Sequence, residues 1–181
     1  MKTNLIFLSS ILLILSSCGM KVPYTNSIRD EFGLDTEDKM AKVQFFTSAT
    51  IILDQEIKAD NQGTTSNGTL VSSSSSQKES IIIPASTSCI FDHFGPKGEL
   101  FVRFETGEGK VLEFFSKSDA SKRYYFDVDW GQQGGPKIKY GDSMYKIDLL
   151  RGNPRSAILM VARKKLQKIK RKERVVRGLK V

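Results

Sequence analysis

Asp127 and Asp129 stand two residues apart in Phe126-Asp127-Val128-Asp129-Trp130, a spacing that puts both carboxylates on one face of a strand. Paired carboxylates serve glycoside hydrolysis or calcium binding, and with Glu105 they are the candidates for a hydrolase acting on cell wall or glycans. Alternation alone explains them as well: the acids face water while Phe126, Val128 and Trp130 face the core. Other chemistry is thinly supplied. His93 is the single histidine of the chain and there are two cysteines, so neither a Ser-His-Asp arrangement nor a zinc set has support. Within Phe91-Asp92-His93-Phe94-Gly95-Pro96 that histidine reads as a structural residue at a strand exit. Gly107-Glu108-Gly109-Lys110 lacks the spacing of a phosphate loop and the Ser or Thr after its lysine. Tyr124, Tyr125, Tyr140 and Tyr145 with Trp130 form either an aromatic binding surface or, as is usual on half-buried strands, core and cross-strand pairs. No catalytic set, metal site or cofactor is expected, and the hydrolase remains the alternative to a binding protein.

The chain opens with Lys2, an eleven-residue run rich in Leu and Ile from Leu5 to Leu15, then Ser16, Ser17 and Cys18. That run falls short of the ~20 apolar residues a membrane-spanning helix needs, and its charged start and small-residue end are those of a processed signal. Nothing else in the sequence is long and apolar enough to span. Leu15-Ser16-Ser17-Cys18 resembles the lipobox of bacterial lipoprotein precursors. The resemblance implies that residues 1–17 are removed and that Cys18 becomes a lipidated first residue, whose two or more acyl chains make a stable anchor at ~0.8 kcal/mol per buried CH2. The following Gly19-Met20-Lys21-Val22-Pro23 holds no acid, so inner-membrane retention is not indicated, and the acidic surface-export tag of Bacteroidota lipoproteins is missing too. The expected location is the periplasmic face of the outer membrane. With Cys18 assigned to lipid, Cys89 has no disulfide partner and reads as a small buried hydrophobe.

Charge is unevenly distributed. Residues 151–181 hold twelve Lys or Arg and one acid, Glu173; that end carries +11, which leaves −3 for the rest of a chain whose total is +8. An exported chain is out of reach of nucleic acid, so the partners of this basic end are anionic envelope components or an acidic protein surface. The candidate docking patch comprises Arg163, Lys164, Lys165, Lys168, Lys170, Arg171, Lys172 and Arg174.

The elements that must position these residues are mostly short strands. A tether follows the anchor, and residues 18–42 carry two helical signals: Thr25 or Asn26 caps a turn that stops at Gly33, and Asp35 caps a second with Met40, Ala41 and Val43 on its apolar side. From Val43 the period changes to that of strands, one or two of them over residues 44–57. Residues 60–68 and the five serines at 72–76 read as loop. Strands follow over residues 80–83, 99–105, 111–115, 123–130, 137–140 and 143–149, with Gly141-Asp142 as a hairpin turn. The apolar run at 157–162 has two readings. It is either part of a basic amphipathic helix begun at Asn153-Pro154, or, as favoured here, a buried strand followed by a helical turn at 164–168 and a last strand at 169–176.

The expected fold is therefore mainly β: a small barrel or sandwich of short antiparallel strands over residues 43–162, with short N-terminal helical turns and a basic segment at 163–181 that can close the β domain. Its hairpins, with Pro84-Ala85-Ser86-Thr87 after the triple isoleucine, are similar to those of bacterial SH3-like barrels. As a whole the chain resembles small lipoproteins of Bacteroidota, on the lipobox, on Lys42-Val43-Gln44-Phe45-Phe46-Thr47-Ser48 leading to Ile51-Ile52-Leu53, and on its basic ending. The resemblance implies membrane attachment and no particular activity.

Overall fold

A computed structural model describes residues 20–64, 70–116 and 122–170, with their side chains except at 56–64, 70–78 and 168–170. The strands are β1 (Lys21–Pro23), β2 (Gln44–Thr47), β3 (Ile51–Thr64), β4 (Leu70–Ile83), β5 (Ser88–Phe94), β6 (Leu100–Arg103), β7 (Val111–Phe115), β8 (Tyr125–Phe126), β9 (Lys137–Tyr140), β10 (Ser143–Ile147) and β11 (Leu159–Ala162). Helices α1 (Asn26–Phe32) and α2 (Glu37–Met40) precede β2, a 3-10 turn (Pro154–Ser156) precedes β11, and α3 (Arg163–Lys170) follows it.

The expectation of a mainly β chain with short N-terminal helices is met by two antiparallel sheets, ordered β1-β11-β2-β5-β6-β7-β8 and β4-β3-β10-β9. Alternation builds them. On β6 and β7 the inward positions Leu100, Val102, Leu112 and Phe114 are fully buried, while the residues between them are partly exposed. One core draws from both sheets, joining these side chains to Ile51, Leu53, Tyr145 and Ile147. Neither sheet is a closed barrel. The seven-stranded sheet instead brings its ends together through single contacts: Tyr125 bridges Ile158, Thr25 bridges Arg123, and Phe126 N donates to Ala157 O at 2.8 Å. β8 is only two residues long, too short to carry a ladder across that seam.

Several local expectations are corrected. The serine run lies inside β4, whose backbone pairs with β3 from Ile51↔Ile83 to Thr64↔Leu70, so residues 60–64 and 72–76 are strand; 65–69 lie outside the described residues. The strand read over 123–130 is confined to Tyr125–Phe126. At the C-terminal end the strand-then-helix reading of 157–168 holds, but Ile169 and Lys170 continue α3 and do not start a strand; residues 171–176 lie outside the described residues. The stretch expected to be a tether joins the fold from Lys21 onward, since β1 pairs with β11 and Tyr24, Leu34 and Met40 are buried in the core. Thr25 caps α1 by accepting from Ile28 N, and Gly33 closes it at φ 59°. Thr36, not Asp35, occupies the cap position of α2, and Ala41 is exposed while Met40 and Val43 are buried.

Candidate functional site

The basic end is positioned by β11. Leu159 and Val161 are fully buried, Ala162 nearly so, and the chain passes without a break from Ala162 into α3. Leu166, one turn after Ala162, is buried and pins the helix to the body. Arg163 Nη2 lies 3.2 Å from both carboxylate oxygens of Glu31 on α1. α1 is in turn fixed from below: Arg29 Nε donates to Leu34 O, its guanidinium stands 5.0 Å from the Phe94 ring centroid, and Tyr124 Oη donates to Asn26 Oδ1 at 2.7 Å.

Of the predicted patch, the structure thus brings Arg163, Lys164 and Lys165 onto the first turn of one helix and Lys168 and Lys170 onto its second. Arg163 is engaged by Glu31, whereas Lys164 and Lys165 are exposed and make no ion pair among the described residues. Arg171, Lys172 and Arg174 lie outside the described residues, as does Cys18. Lys164 and Lys165, in a first helical turn that contains no acid, oppose the helix dipole, each at a cost of about 0.3–1 kcal/mol. Such a local rule is broken most often where function requires it.

The predicted carboxylate pair separates. The strand ends at Phe126, so Asp127 and Asp129 no longer share a strand face. Asp129 Oδ1 accepts from Gly131 N and opens the glycine loop, and Trp130 packs edge-on to Phe126 beneath the Arg155 guanidinium. Asp127 N donates to Glu113 O. Burial, together with Asp127 and Glu99, raises the Glu113 pKa above the ordinary carboxylate value. Sequence reading missed Glu113, although it occupies an outward position in the alternation of residues 111–115. Glu105 is held by Lys110 at 3.0 Å. Among the described residues no three His, Cys, Asp or Glu side chains are grouped to hold a metal.

His93 Nδ1 lies 2.8 Å from Asp92 Oδ2, its ring stacks on Phe101 with centroids 4.4 Å apart, and Asp92 also accepts from Arg103. Arg103 also donates to Gly107 O, which ties this surface cluster to the 104–110 turn. Cys89 is buried, and burial pushes its thiol pKa up, away from reactivity.

An open cleft of about 770 Å³ is lined by Asp54, Gln55, Lys146, Ile147 and the segments 134–136 and 148–150. Its acids are tied down: Arg151 Nη2 donates to both oxygens of Asp54 at 2.7 and 2.6 Å, and Asp148 accepts from Arg151 Nε. The Leu150 and Arg151 N–H groups also donate to Asp148 Oδ1, and together with the Arg151 guanidinium they pull its pKa down to about 2. The same turn leaves Leu150 95% exposed at the cleft rim, an apolar side chain held outward. The sequence signal was the Asp148–Arg151 spacing before Gly152-Asn153-Pro154, but Asp54 is brought to it only by the pairing of β3 with β10.

No protein-family model, no curated protein and no solved structure matches this chain.

Proposed function

We propose that this protein is a non-enzymatic accessory protein, lipid-anchored at the periplasmic face of the bacterial outer membrane, that engages an envelope protein or an anionic wall or membrane component through its β domain and basic end. The observation that carries this reading is the leader ending in Leu15-Ser16-Ser17-Cys18, because acylation of Cys18 fixes the compartment and removes nucleic acid from the possible partners. The exposed Lys164 and Lys165, set against the helix dipole, support electrostatic engagement. The SH3-like likeness of the hairpins belongs to this reading; its support is the run of short antiparallel strands β5, β6 and β7. Mass spectrometry of the mature amino-terminal peptide tests the proposal. A thioether-linked diacylglycerol on Cys18 is the expected result, and an unmodified terminus would overturn it. Engagement of an anionic component further requires affinity that falls steeply with salt and that is reduced by removal of residues 163–181.

A second reading is a wall- or glycan-acting hydrolase. The raised pKa of Glu113 beside Asp127 favours it, since a proton donor needs that shift. Hydrolysis of a wall substrate, abolished by alanine at Asp127 or at both Asp127 and Asp129, would establish it.

A further inference from the structure

We propose that α3 docks on the anionic phospholipid headgroups of the same leaflet that holds the Cys18 lipid, so that the protein is attached by two signals; this rests on the anchored reading above. The geometry follows from one register. β1 pairs antiparallel with β11 so that Lys21 stands opposite Ala162, the residue immediately before α3. Cys18 precedes Lys21 by three residues, a span of at most about 11 Å even fully extended. Paired Cα atoms in an antiparallel ladder lie about 5 Å apart, so the first residue of α3 is within roughly 20 Å of the anchored cysteine in any conformation of the intervening chain. Any lipid on Cys18 therefore keeps the start of the basic helix within roughly 20 Å of the leaflet that holds it.

A linkage this short makes headgroup contact an intramolecular event, at an effective concentration that a free cationic helix would not reach. The chemistry of the exposed side is suited to it. Leu166 faces the core, so Lys164, Lys165 and Gln167 are turned to solvent, and helix positions 164 and 168 lie one turn apart. Phosphate charge also relieves the repulsion between the first-turn lysines and the helix dipole. Among the anionic partners available in the envelope, the phospholipid surface is the one whose distance from α3 is set by the chain itself.

The test uses the acylated mature protein carrying Gln167→Cys labelled with an environment-sensitive fluorophore. Cys18 is blocked by lipid and Cys89 is buried, so the label goes to position 167. Reconstituted in phosphatidylcholine vesicles with phosphatidylglycerol, the label should report headgroup contact, absent with phosphatidylcholine alone and reversed by about 0.5 M salt. Lys164→Gln with Lys165→Gln should lower the ratio of docked to undocked helix roughly 25-fold, about fivefold for each cation. Identical emission on anionic and neutral vesicles at low salt would overturn lipid docking while leaving the anchor intact. A signal present in native membranes but absent with phosphatidylglycerol would assign the helix to another envelope component and overturn it too. Absence of lipid on Cys18, found by mass before reconstitution, would remove the anchored reading and this inference together.

Discussion

Arg163 at the start of α3 and Glu31 on α1, 132 residues apart in sequence, meet with one guanidinium nitrogen 3.2 Å from each carboxylate oxygen and join the two helices. Both side chains are close to half exposed, so water and salt screen the pair. Glu31→Gln is expected to change the unfolding free energy by less than about 1 kcal/mol in urea titration. A loss above about 2 kcal/mol would show that Glu31 contributes more than a screened surface pair can.

Leu166 is the buried apolar side chain among the described residues of that helix. Leu166→Ala is expected to cost about 2–4 kcal/mol, and the amides of α3 should lose hydrogen-exchange protection before those of β6 and β7. Equal loss of protection throughout would mean that α3 and the β core unfold as one unit.

Asp148 and Glu113 pull stability in opposite directions with pH. The folded-state pKa of Asp148, about 2, lies below its unfolded value, so its contribution is complete above the unfolded pKa and is lost as pH falls through about 2. Glu113 is raised in the folded state, so it favours folding only while protonated, and its contribution declines as pH rises from its unfolded towards its folded value. Asp148→Asn should flatten the acid limb of the urea midpoint against pH. Glu113→Gln should raise the midpoint at pH 7 and make no difference at pH 3; a lowered midpoint at pH 7 would contradict the burial argument.

Cys89 should be inert in the native state. It is 2% exposed and burial raises its pKa, so an aromatic disulfide reagent should modify it only at the rate of unfolding, and completely in denaturant. Rapid native labelling would place the thiol outside the core.

Gly33 has φ 59°, where a side chain is strained whatever space surrounds it. Gly33→Ala should destabilise by about 1 kcal/mol through the C-cap of α1, and Thr25→Ala by a similar amount through its N-cap; thermal unfolding reads both.

Local chemistry explains which features were legible in the sequence. The caps of α1, the Gly141-Asp142 turn between β9 and β10, and the alternation of β6 and β7 depend on residues a few positions apart, so composition and period reveal them. The serine run defeated the same reasoning. Its strand character comes from backbone pairing with β3, and a ladder of N–H and C=O groups leaves no mark in side-chain type. Asp127 and Asp129 show the reverse error, because alternation continues in the sequence after the strand has stopped at Phe126. The apolar run from Leu5 to Leu15, the position of Cys18 and the +11 of residues 151–181 belong to the sequence alone, since they are matters of residue type and order. Only the tertiary structure decided that Lys21 stands beside Ala162, that Asp54 meets Arg151, and that Glu113 shares its environment with Asp127. Those relationships join residues far apart in the chain through strand register, which the packing of one shared core selects.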